Sequence, residues 1–393
     1  MFVLLRVTYK IFLILNINLV ADAIAMSRSI KTITLAIIAV MIVSVLPVAL
    51  TDGSDAASSI TVTDGLGNEF TFEDEPAHII TVGKGITATA IQLNAIDKIV
   101  VADSYSKTDT NEVFDILRTY IDEGKIAAGG NIYSSGKAQL QTDIVYAADN
   151  GRFDKEKDPI FITGGNSYIN PIIEYLTTNG FKKILAWNDI TEYDKIADFV
   201  STVSKIIDGE ESDKVAQMKH VSEVIADGVK DKTLREAFYV TYSEGAFKVG
   251  NINSLANSMI SAAGGKSITT DDSKAKPTYE ANLTTLVEEH PDAIIFIDNS
   301  IKSNQSNLDA LKTAIGEDAF NNRVVPLNPL WNNYSIESMT GVWTMACAMY
   351  PDTFEGDVPT VDEPKKNTML YVGIGVGVAA VVLIAGLLFL RKR

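Results

Sequence analysis

Short apolar runs that end in glycine or polar residues alternate with longer stretches of helical spacing, and this alternation constrains the fold most. The runs have the length and composition of buried strands: Ile79–Val82, Ile99–Ala102, Pro159–Thr163, Lys183–Trp187, Ala237–Thr241, Ala293–Ile297 and Val324–Leu327. Strands that alternate with helices predict an α/β fold with largely parallel sheets. Before them, Ile60–Thr63, a glycine-rich turn and Glu69–Phe72 predict a β-hairpin.

One long stretch without proline, Ser212–Asp231, separates two such series of strands and helices. Its apolar residues recur at helical spacing and form one stripe: Val215, Met218, Val221, Val224, Ile225 and Val229. The chain is therefore predicted to form two Rossmann-like α/β lobes joined by a long helix. We assign residues 58–208 to the N-terminal lobe, 209–233 to the interlobe helix and 234–352 to the C-terminal lobe.

The C-terminal end of the chain has the pattern of a membrane anchor. Residues 369–390 are nearly all apolar and uncharged, and a helix of that length spans roughly 33 Å, enough for the hydrocarbon core. The basic residues 391–393 follow directly, and such clusters stay on the cytoplasmic side. Residues 353–368 are rich in Pro, Asp and Glu and are predicted to form a stalk. The main domain is then extracytoplasmic, on a single-pass cell-membrane anchor.

The N-terminal end, residues 1–57, has the pattern of a signal or signal-anchor segment. Arg28 and Lys31 precede the apolar run Thr32–Leu50. Met26 stands directly before this pattern, so we interpret residues 1–25 as an upstream extension of the reading frame. The alternative is an additional hydrophobic span over Phe2–Val20. The pattern leaves open whether the signal is cleaved.

Composition excludes several functions. With 34 basic and 50 acidic side chains the formal net charge is −16, which is unsuited to binding nucleic acid. Cys347 is the one cysteine and the three histidines are far apart in sequence, so we expect neither a disulfide nor a metal site. No nucleophile–base pair can be argued from these residues. We therefore expect no catalytic residues and no cofactor.

Ligands of open α/β sheets bind at the carboxyl ends of the strands, and this rule selects the candidate site. In the first lobe it selects Gly83, Lys84 and Gly85, where glycines admit a close ligand and the lysine favours an anionic group. Aromatic residues at strand ends suit flat, semi-polar ligands. The further candidates at strand ends are Tyr105, Asn166, Trp187, Tyr242, Glu244, Trp331 and Tyr334.

Several motifs, in their order and spacing, resemble one protein family. Ile60–Phe72 and Pro76–Gly83 are similar to the hairpin and first strand of the ABC-transporter solute-binding proteins for iron-siderophores, haem and cobalamin. Ile99–Ser106 resembles the end of the family's next strand, and Asn282–Ile295 resembles a motif of its second lobe. The resemblance covers about residues 60–352. It implies a rigid interlobe helix and a ligand held in the cleft between lobes.

The resemblance also implies partners, namely a membrane permease and its ATPase subunits. Members of the family meet the permease through a Glu on each lobe. Thr284 stands at the second of these positions, so we consider Asp143 and Glu280 as docking carboxylates instead. This departure supports an alternative function, a structural or adhesive surface protein that has kept the fold and lost its permease. A surface enzyme is a second alternative, against which the missing nucleophile–base pair counts.

Overall fold

In a computed structural model of the chain, the described residues are 59–188, 191–271 and 276–361. The predicted signal segment 1–57, the membrane helix 369–390, the basic tail 391–393 and residues 362–368 of the stalk lie outside them. Among the helices of the described ranges, none has the length and apolar character needed to cross a bilayer. The described chain is a mixed α/β fold, as its alternating pattern predicts.

The first lobe contains a hairpin and a four-stranded sheet. Its strands are β1 Ile60–Thr63, β2 Glu69–Phe72, β3 Ile79–Val82, β4 Ile99–Ala102, β5 Ile160–Thr163 and β6 Ile184–Trp187. Its helices are α1 Lys84–Gln92, α2 Ser104–Thr108, α3 Asp115–Asp122, α4 Lys137–Asp149 and α5 Asn166–Thr178. The sheet is parallel in the order β4-β3-β5-β6. Both predictions, the hairpin and the parallel sheet, are confirmed here.

Two consecutive helices connect the sheets, α6 Tyr193–Asp208 and α7 Asp213–Val229. Gly209 ends α6 in the left-handed conformation, and the Ser212 side chain caps α7 by accepting from the Lys214 N–H. The predicted stripe of α7 is inward: Val215, Met218, Val221, Ile225 and Val229 are buried. The helix predicted over Ser212–Asp231 is thus confirmed. A turn joins it to α6, so two helices in succession connect the sheets.

The second lobe contains a mixed sheet. Its strands are β7 Arg235–Ser243, β8 Ala246–Gly250, β9 Gly265–Ser267, β10 Thr278–Glu280, β11 Ile294–Ile297 and β12 Val324–Pro326. Its helices are α8 Leu255–Ala262, α9 Leu283–Glu289, α10 Asn299–Lys302, α11 Gln305–Ile315, α12 Glu317–Arg323 and α13 Glu337–Met349. The strands β7, β11 and β12 are parallel neighbours, and β8 and β10 add antiparallel pairs at one side.

One hydrophobic cluster runs through both lobes. It includes Ile86 of α1, Met218 of α7, Met259 of α8 and Trp331, all buried. Two further clusters lie on the outer faces of the two sheets, under α4 and α5 and under α9 and α11. Because close-packed interiors resist deformation, a core shared by the lobes restrains their relative motion.

Candidate functional site between the carboxyl edges of the two sheets

The carboxyl edges of the two sheets face each other, and α1 forms the contact between them. A Cβ on Gly85 would lie 2.8 Å from the backbone N and O of Tyr334. The Thr89 hydroxyl donates to the Tyr334 carbonyl at 3.3 Å, and Gln92 donates to Glu337 at 2.7 Å. The absence of a side chain at Gly85 therefore makes room for the backbone of Tyr334 in the other lobe. From its sequence position, we expected it to make room for a ligand. Tyr334 contributes backbone to this interlobe contact, while its ring lies 6.4 Å from that of Phe199.

The first sheet reverses its winding between β3 and β5, which are neighbours although β4 separates them in sequence. Such a switch point leaves a crevice at the carboxyl ends of the strands. Gly83 and Gly164 follow the two strands with φ of 122° and 154°, values that favour glycine. A Cβ on Gly83 would lie 2.2 Å from Thr163 Oγ1. The two backbones can approach this closely only because position 83 is glycine.

Three tyrosine rings form a cluster at this edge. The rings of Tyr105 and Tyr133 have centroids 5.5 Å apart, and Tyr168 meets Tyr133 edge-on at 4.7 Å. Tyr105 and Tyr168 are 41% and 45% exposed, although aromatic side chains tend to be covered. Tyr105 and Tyr133 come from the connection between β4 and β5, and Tyr168 follows β5, so two connections meet at this sheet edge. The cluster offers apolar faces with polar rims to a flat ligand.

Lys84 begins α1 beside this cluster, and its charge is already paired. The Lys84 ammonium lies 2.7 Å from Asp109 Oδ2. Asp109 is fixed in turn, because its other oxygen accepts from the Asn111 N–H at 2.9 Å. The ammonium has three N–H donors, so Lys84 can bond a ligand beside Asp109, but part of its charge is already balanced. Its contact with an anionic ligand stays a prediction.

Asp103 is the buried acid of the first lobe. Its Oδ1 accepts from the Tyr105 N–H at 2.7 Å and caps α2. Its Oδ2 is buried and has no hydrogen-bond partner among the described residues. Burial raises the pKa of Asp103 to about 6, against the opposing effects of the Tyr105 N–H, the Lys84 charge and the Ile132 N–H. The site thus holds a carboxyl group that titrates near neutral pH.

Asp298 is its counterpart in the second lobe, following β11 and capping α10. Its Oδ2 accepts from the Tyr239 hydroxyl at 2.7 Å and from the Thr241 hydroxyl at 2.9 Å. Its Oδ1 accepts from the N–H of Ser300 at 3.0 Å and from the Ser300 hydroxyl. Ser300 Oγ also accepts from the Tyr242 N–H at 2.8 Å. This edge is a fully bonded polar network.

The remaining candidates of the second lobe lie on a hairpin that extends past β11. Tyr242 is half-buried, and its ring packs on Phe247 across the β7–β8 pair at 5.1 Å. Glu244 occupies the turn with φ of 55° and pairs with Lys248. In the first lobe, Asn166 begins α5 and is exposed, and it accepts from Asn188 at 2.8 Å. These three side chains remain accessible at the rims of the site.

The two candidate tryptophans belong to the core. Trp187 is 5% exposed because the turn of the β1–β2 hairpin covers its indole, with a Cβ on Gly65 only 2.5 Å from the ring. Trp331 is 1% exposed and packs edge-on against Tyr239 at 5.2 Å. Both rings are largely covered in this structure, although Trp187 borders a concavity of about 400 Å³, and their contact with a ligand stays a prediction.

The candidate docking carboxylates differ from each other. Asp143 on α4 accepts from the Gly129 N–H at 2.9 Å and from Gln139 at 2.8 Å, so both oxygens hold local structure. Glu280 on β10 is exposed. Thr284, at the position where the family has Glu, donates to the Ala314 carbonyl at 2.7 Å. Glu280 is the accessible carboxylate of the pair, and whether either residue docks remains a prediction.

A second concavity, of about 1110 Å³, lies at the opposite, amino edge of the first sheet. It is lined by residues 71–78 and 148–158. Its charges are mixed, and buried Asp158 is already bonded to the backbone N–H groups of His78 and Asp154. This groove lies at the amino ends of the strands, whereas ligands of open α/β sheets bind at the carboxyl ends. We therefore place the site at the carboxyl edge. In the described part of the chain, no three His, Cys, Asp or Glu side chains are grouped to hold a metal ion.

Tyr168 was not identified from the sequence, and neither was the buried state of Asp103. Tyr168 follows Asn166 by two residues, on the same strand connection, so the strand-end rule extended by one helical turn would have included it. Tyr133 precedes a short turn, and sequence spacing does not place it between the other two rings. The cluster depends on two distant parts of one connection meeting the next connection, which sequence periodicity does not encode.

Comparison with known proteins identifies the fold. No protein-family model matches the chain, and no curated protein is found as a relative. Among solved structures, Helicobacter pylori CeuE with Ni(II) bound is similar over 75% of this chain and 90% of its own, at 17% identity and a TM-score of 0.57. The TroA-like periplasmic binding protein FepB from Veillonella parvula is 14% identical over 75% of this chain and 91% of its own, also with a TM-score of 0.57.

The periplasmic vitamin B12 binding protein BtuF of Vibrio cholerae is 16% identical over 70% of this chain and 97% of its own, with a TM-score of 0.50. The resemblance carried by the sequence motifs is therefore confirmed at the level of fold. The chain has the bilobed α/β architecture of the periplasmic binding proteins. At these identities the similarity establishes the fold, and the site must supply the function.

Proposed function

We propose that the protein is the substrate-binding component of an ABC importer. It captures an iron-siderophore, a corrinoid or a haem-like molecule in the cleft between its lobes. The observation that carries the proposal is the cluster of Tyr105, Tyr133 and Tyr168 at the switch point of the first sheet. Exposed rings at a strand-end crevice suit a large ligand with flat, semi-polar faces. The neighbours of this fold, CeuE, FepB and BtuF, support a binding role.

The mechanism is capture without catalysis. The tyrosine cluster supplies the face on which the ligand rests, and the accessible rim residues Asn166, Tyr242 and Glu244 supply polar contacts. The contact of α1 with Tyr334 and the shared core limit closure of the lobes to a small movement. The ligand then passes to a permease, which an ATPase drives.

The membrane arrangement is part of the proposal and rests on sequence. Residues 369–390 anchor the protein, residues 391–393 lie in the cytoplasm, and the lobes lie outside. Protease added to intact cells should then release a fragment that ends near the predicted stalk. Complete protection of the lobes, in cells with an accessible surface, would contradict this topology.

Native mass spectrometry of the full chain with its co-purified ligand tests the binding function. We expect an additional mass that matches one of the three ligand classes. A thermal-shift panel with haemin, cyanocobalamin and a ferric hydroxamate accompanies it, because a ligand that binds the folded state alone raises the melting temperature. If no mass is retained and no probe shifts the melting temperature, the importer proposal fails.

A structural or adhesive surface role is the second candidate, and one observation favours it. Asp143 is engaged by Gly129 and Gln139, and Thr284 caps a neighbouring carbonyl, so two of the three positions considered for docking have other roles. Binding of a probe without any uptake that depends on the protein would favour this candidate.

A further inference from the structure

The chain beyond the closing helix α13 does not leave the domain at once. We define residues Pro351–Val361 as the C-terminal strap. Phe354 is buried, with its ring 5.4 Å from that of Trp343 and 6.2 Å from that of Tyr350. Trp343 Nε1 donates to the Gly356 carbonyl at 3.0 Å. The part of the predicted stalk within 353–361 is therefore packed on the domain, which corrects that prediction.

The C-terminal strap lies along the interlobe helix α7. Near the end of α7, a Cβ on Gly228 would lie 2.5 Å from the Phe354 ring. The ring can therefore pack against α7 only because position 228 is glycine. Near its beginning, Gln217 Nε2 donates to the Pro359 carbonyl at 3.4 Å. Between these two points α7 rises by about 17 Å. The strap runs back along the helix with a bend at Gly356 and Asp357.

The root of the strap is fixed to the second lobe. The Tyr350 hydroxyl donates to the Gly264 carbonyl at 2.6 Å and accepts from the Arg235 N–H at 3.0 Å. The far end, at Pro359, reaches the half of α7 that follows the first lobe. That half is held to α6 by Ser204, whose hydroxyl accepts from the Ser212 N–H at 3.1 Å. The strap thus runs from the second lobe back along most of the helix that connects the lobes.

We propose that the C-terminal strap is a hinge brace, which stiffens α7 and so limits how far the cleft opens and closes. The helix alone would bend by straining its own hydrogen bonds. With the strap seated, any bend must also shift Phe354 out of its place against Gly228 and Trp343. This role is independent of which ligand the cleft takes.

Hydrogen exchange on the full chain tests the brace, because it reports local opening segment by segment. Phe354→Ala unseats the strap. We expect exchange to become at least tenfold faster in α7 and at the contact between α1 and residues 334–337. Exchange in α4 and α5, on the outer face of the first sheet, should change less than twofold.

Phe153→Ala is the matched control, since it removes a buried phenylalanine that packs on Phe181 in the first lobe. It should accelerate α4 and α5 and leave α7 unchanged. Trp343→Phe is the milder variant should Phe354→Ala fail to fold, because it removes the N–H that holds Gly356 and only part of the ring that packs on Phe354. It should give the same pattern at smaller size. Acceleration confined to the strap and the end of α13 in the strap variants would overturn the proposal.

Discussion

Asp103 and Asp298 cap helices in the same local way in the two lobes, and their surroundings differ. Each follows a parallel strand at the facing edges of the sheets, caps a short helix and accepts from the N–H two residues ahead. Asp298 has donors on both oxygens, whereas Asp103 Oδ2 is buried without a partner among the described residues. The same local sequence device thus ends in a satisfied network in one lobe and an unsatisfied acid in the other.

The difference in hydrogen bonding between the two acids indicates that the two sheet edges have different roles. An edge whose polar groups bond to one another is preorganised and needs nothing from a ligand. An edge with exposed rings and a buried acid that lacks a hydrogen-bond partner is stabilised most when a ligand covers it. Unsatisfied groups of this kind are uncommon in folded proteins and concentrate at functional sites. We therefore expect a ligand to contact chiefly the first lobe, although Asn328 Nδ2 and Trp331 Nε1 of the second lobe are also buried without a partner among the described residues.

The largest effect is expected from Asp103→Asn, which keeps the helix cap and removes the charge. The folded pKa of Asp103, about 6, lies above the ordinary 3.8, so the folded state binds more protons between these values. The stability contributed by the protonated form is present below pH 3.8 and is lost as the pH rises through 6. The free energy of unfolding of the variant, relative to that of the parent, should rise by about 3 kcal/mol from pH 4 to pH 8. Denaturant unfolding at the two pH values measures this change. An equal gain at both pH values would contradict a buried acid at this position.

Asp298→Asn is the same substitution in the other lobe, and its effect should have the opposite sign. Its amide would face hydroxyl groups that now donate to a carboxylate, so the protein should lose about 2 kcal/mol at pH 7. If both variants stabilise the protein at pH 8, the contrast between the lobes is wrong.

Tyr168→Ala tests the assignment of capture to the first lobe. Because the ring is exposed, its removal should change the free energy of unfolding little. Affinity for whichever probe binds, among haemin, cyanocobalamin and a ferric hydroxamate, should fall about tenfold, equivalent to about 1.4 kcal/mol. Tyr146→Ala is the control, since Tyr146 on α4 is 63% exposed and lies outside the cluster. Calorimetric titration that shows equal losses for both variants would remove the cluster from the site.

The smallest effect on the isolated protein is expected from Glu280→Ala. This side chain is exposed, so ligand affinity and stability should stay within about 0.5 kcal/mol of the parent. Uptake in cells should fall about tenfold if Glu280 meets a permease arginine, a contact of about 1.5–3 kcal/mol. Asp143→Ala should also lower stability by about 1 kcal/mol, because it frees the Gly129 N–H. Unchanged uptake in the double variant would exclude both residues as docking groups.

The sequence predicts the order of the elements well because each depends on local patterning. The hairpin, the parallel first sheet and the buried stripe of α7 follow from periodicity and turn residues. Side-chain environments depend instead on which connections meet in space. Trp187 ends a strand as a ligand residue should, yet the distant hairpin turn at Gly65 covers it. The Asp-rich segment after Tyr350 resembles a stalk in composition, and one aromatic residue, Phe354, holds it against α7.

The strand-end rule therefore predicts a site at the sheet edge, which stays a prediction, and individual residues that it selects have differing surroundings. It selected Tyr105, Asn166 and Tyr242, which are accessible there. It also selected Gly85, whose missing side chain admits Tyr334 of the other lobe. Long-range contacts of this kind leave no mark on local spacing.

The central claim is that ligand binds between the facing carboxyl edges, chiefly against the first lobe. Hydrogen exchange of the full chain, with and without the probe that gives the largest thermal shift, tests it most directly. The account predicts protection of residues 103–109, 131–136 and 164–170, with weaker protection at the β7–β8 turn. Protection confined to residues 71–78 and 148–158, at the amino edge of the first sheet, would contradict it.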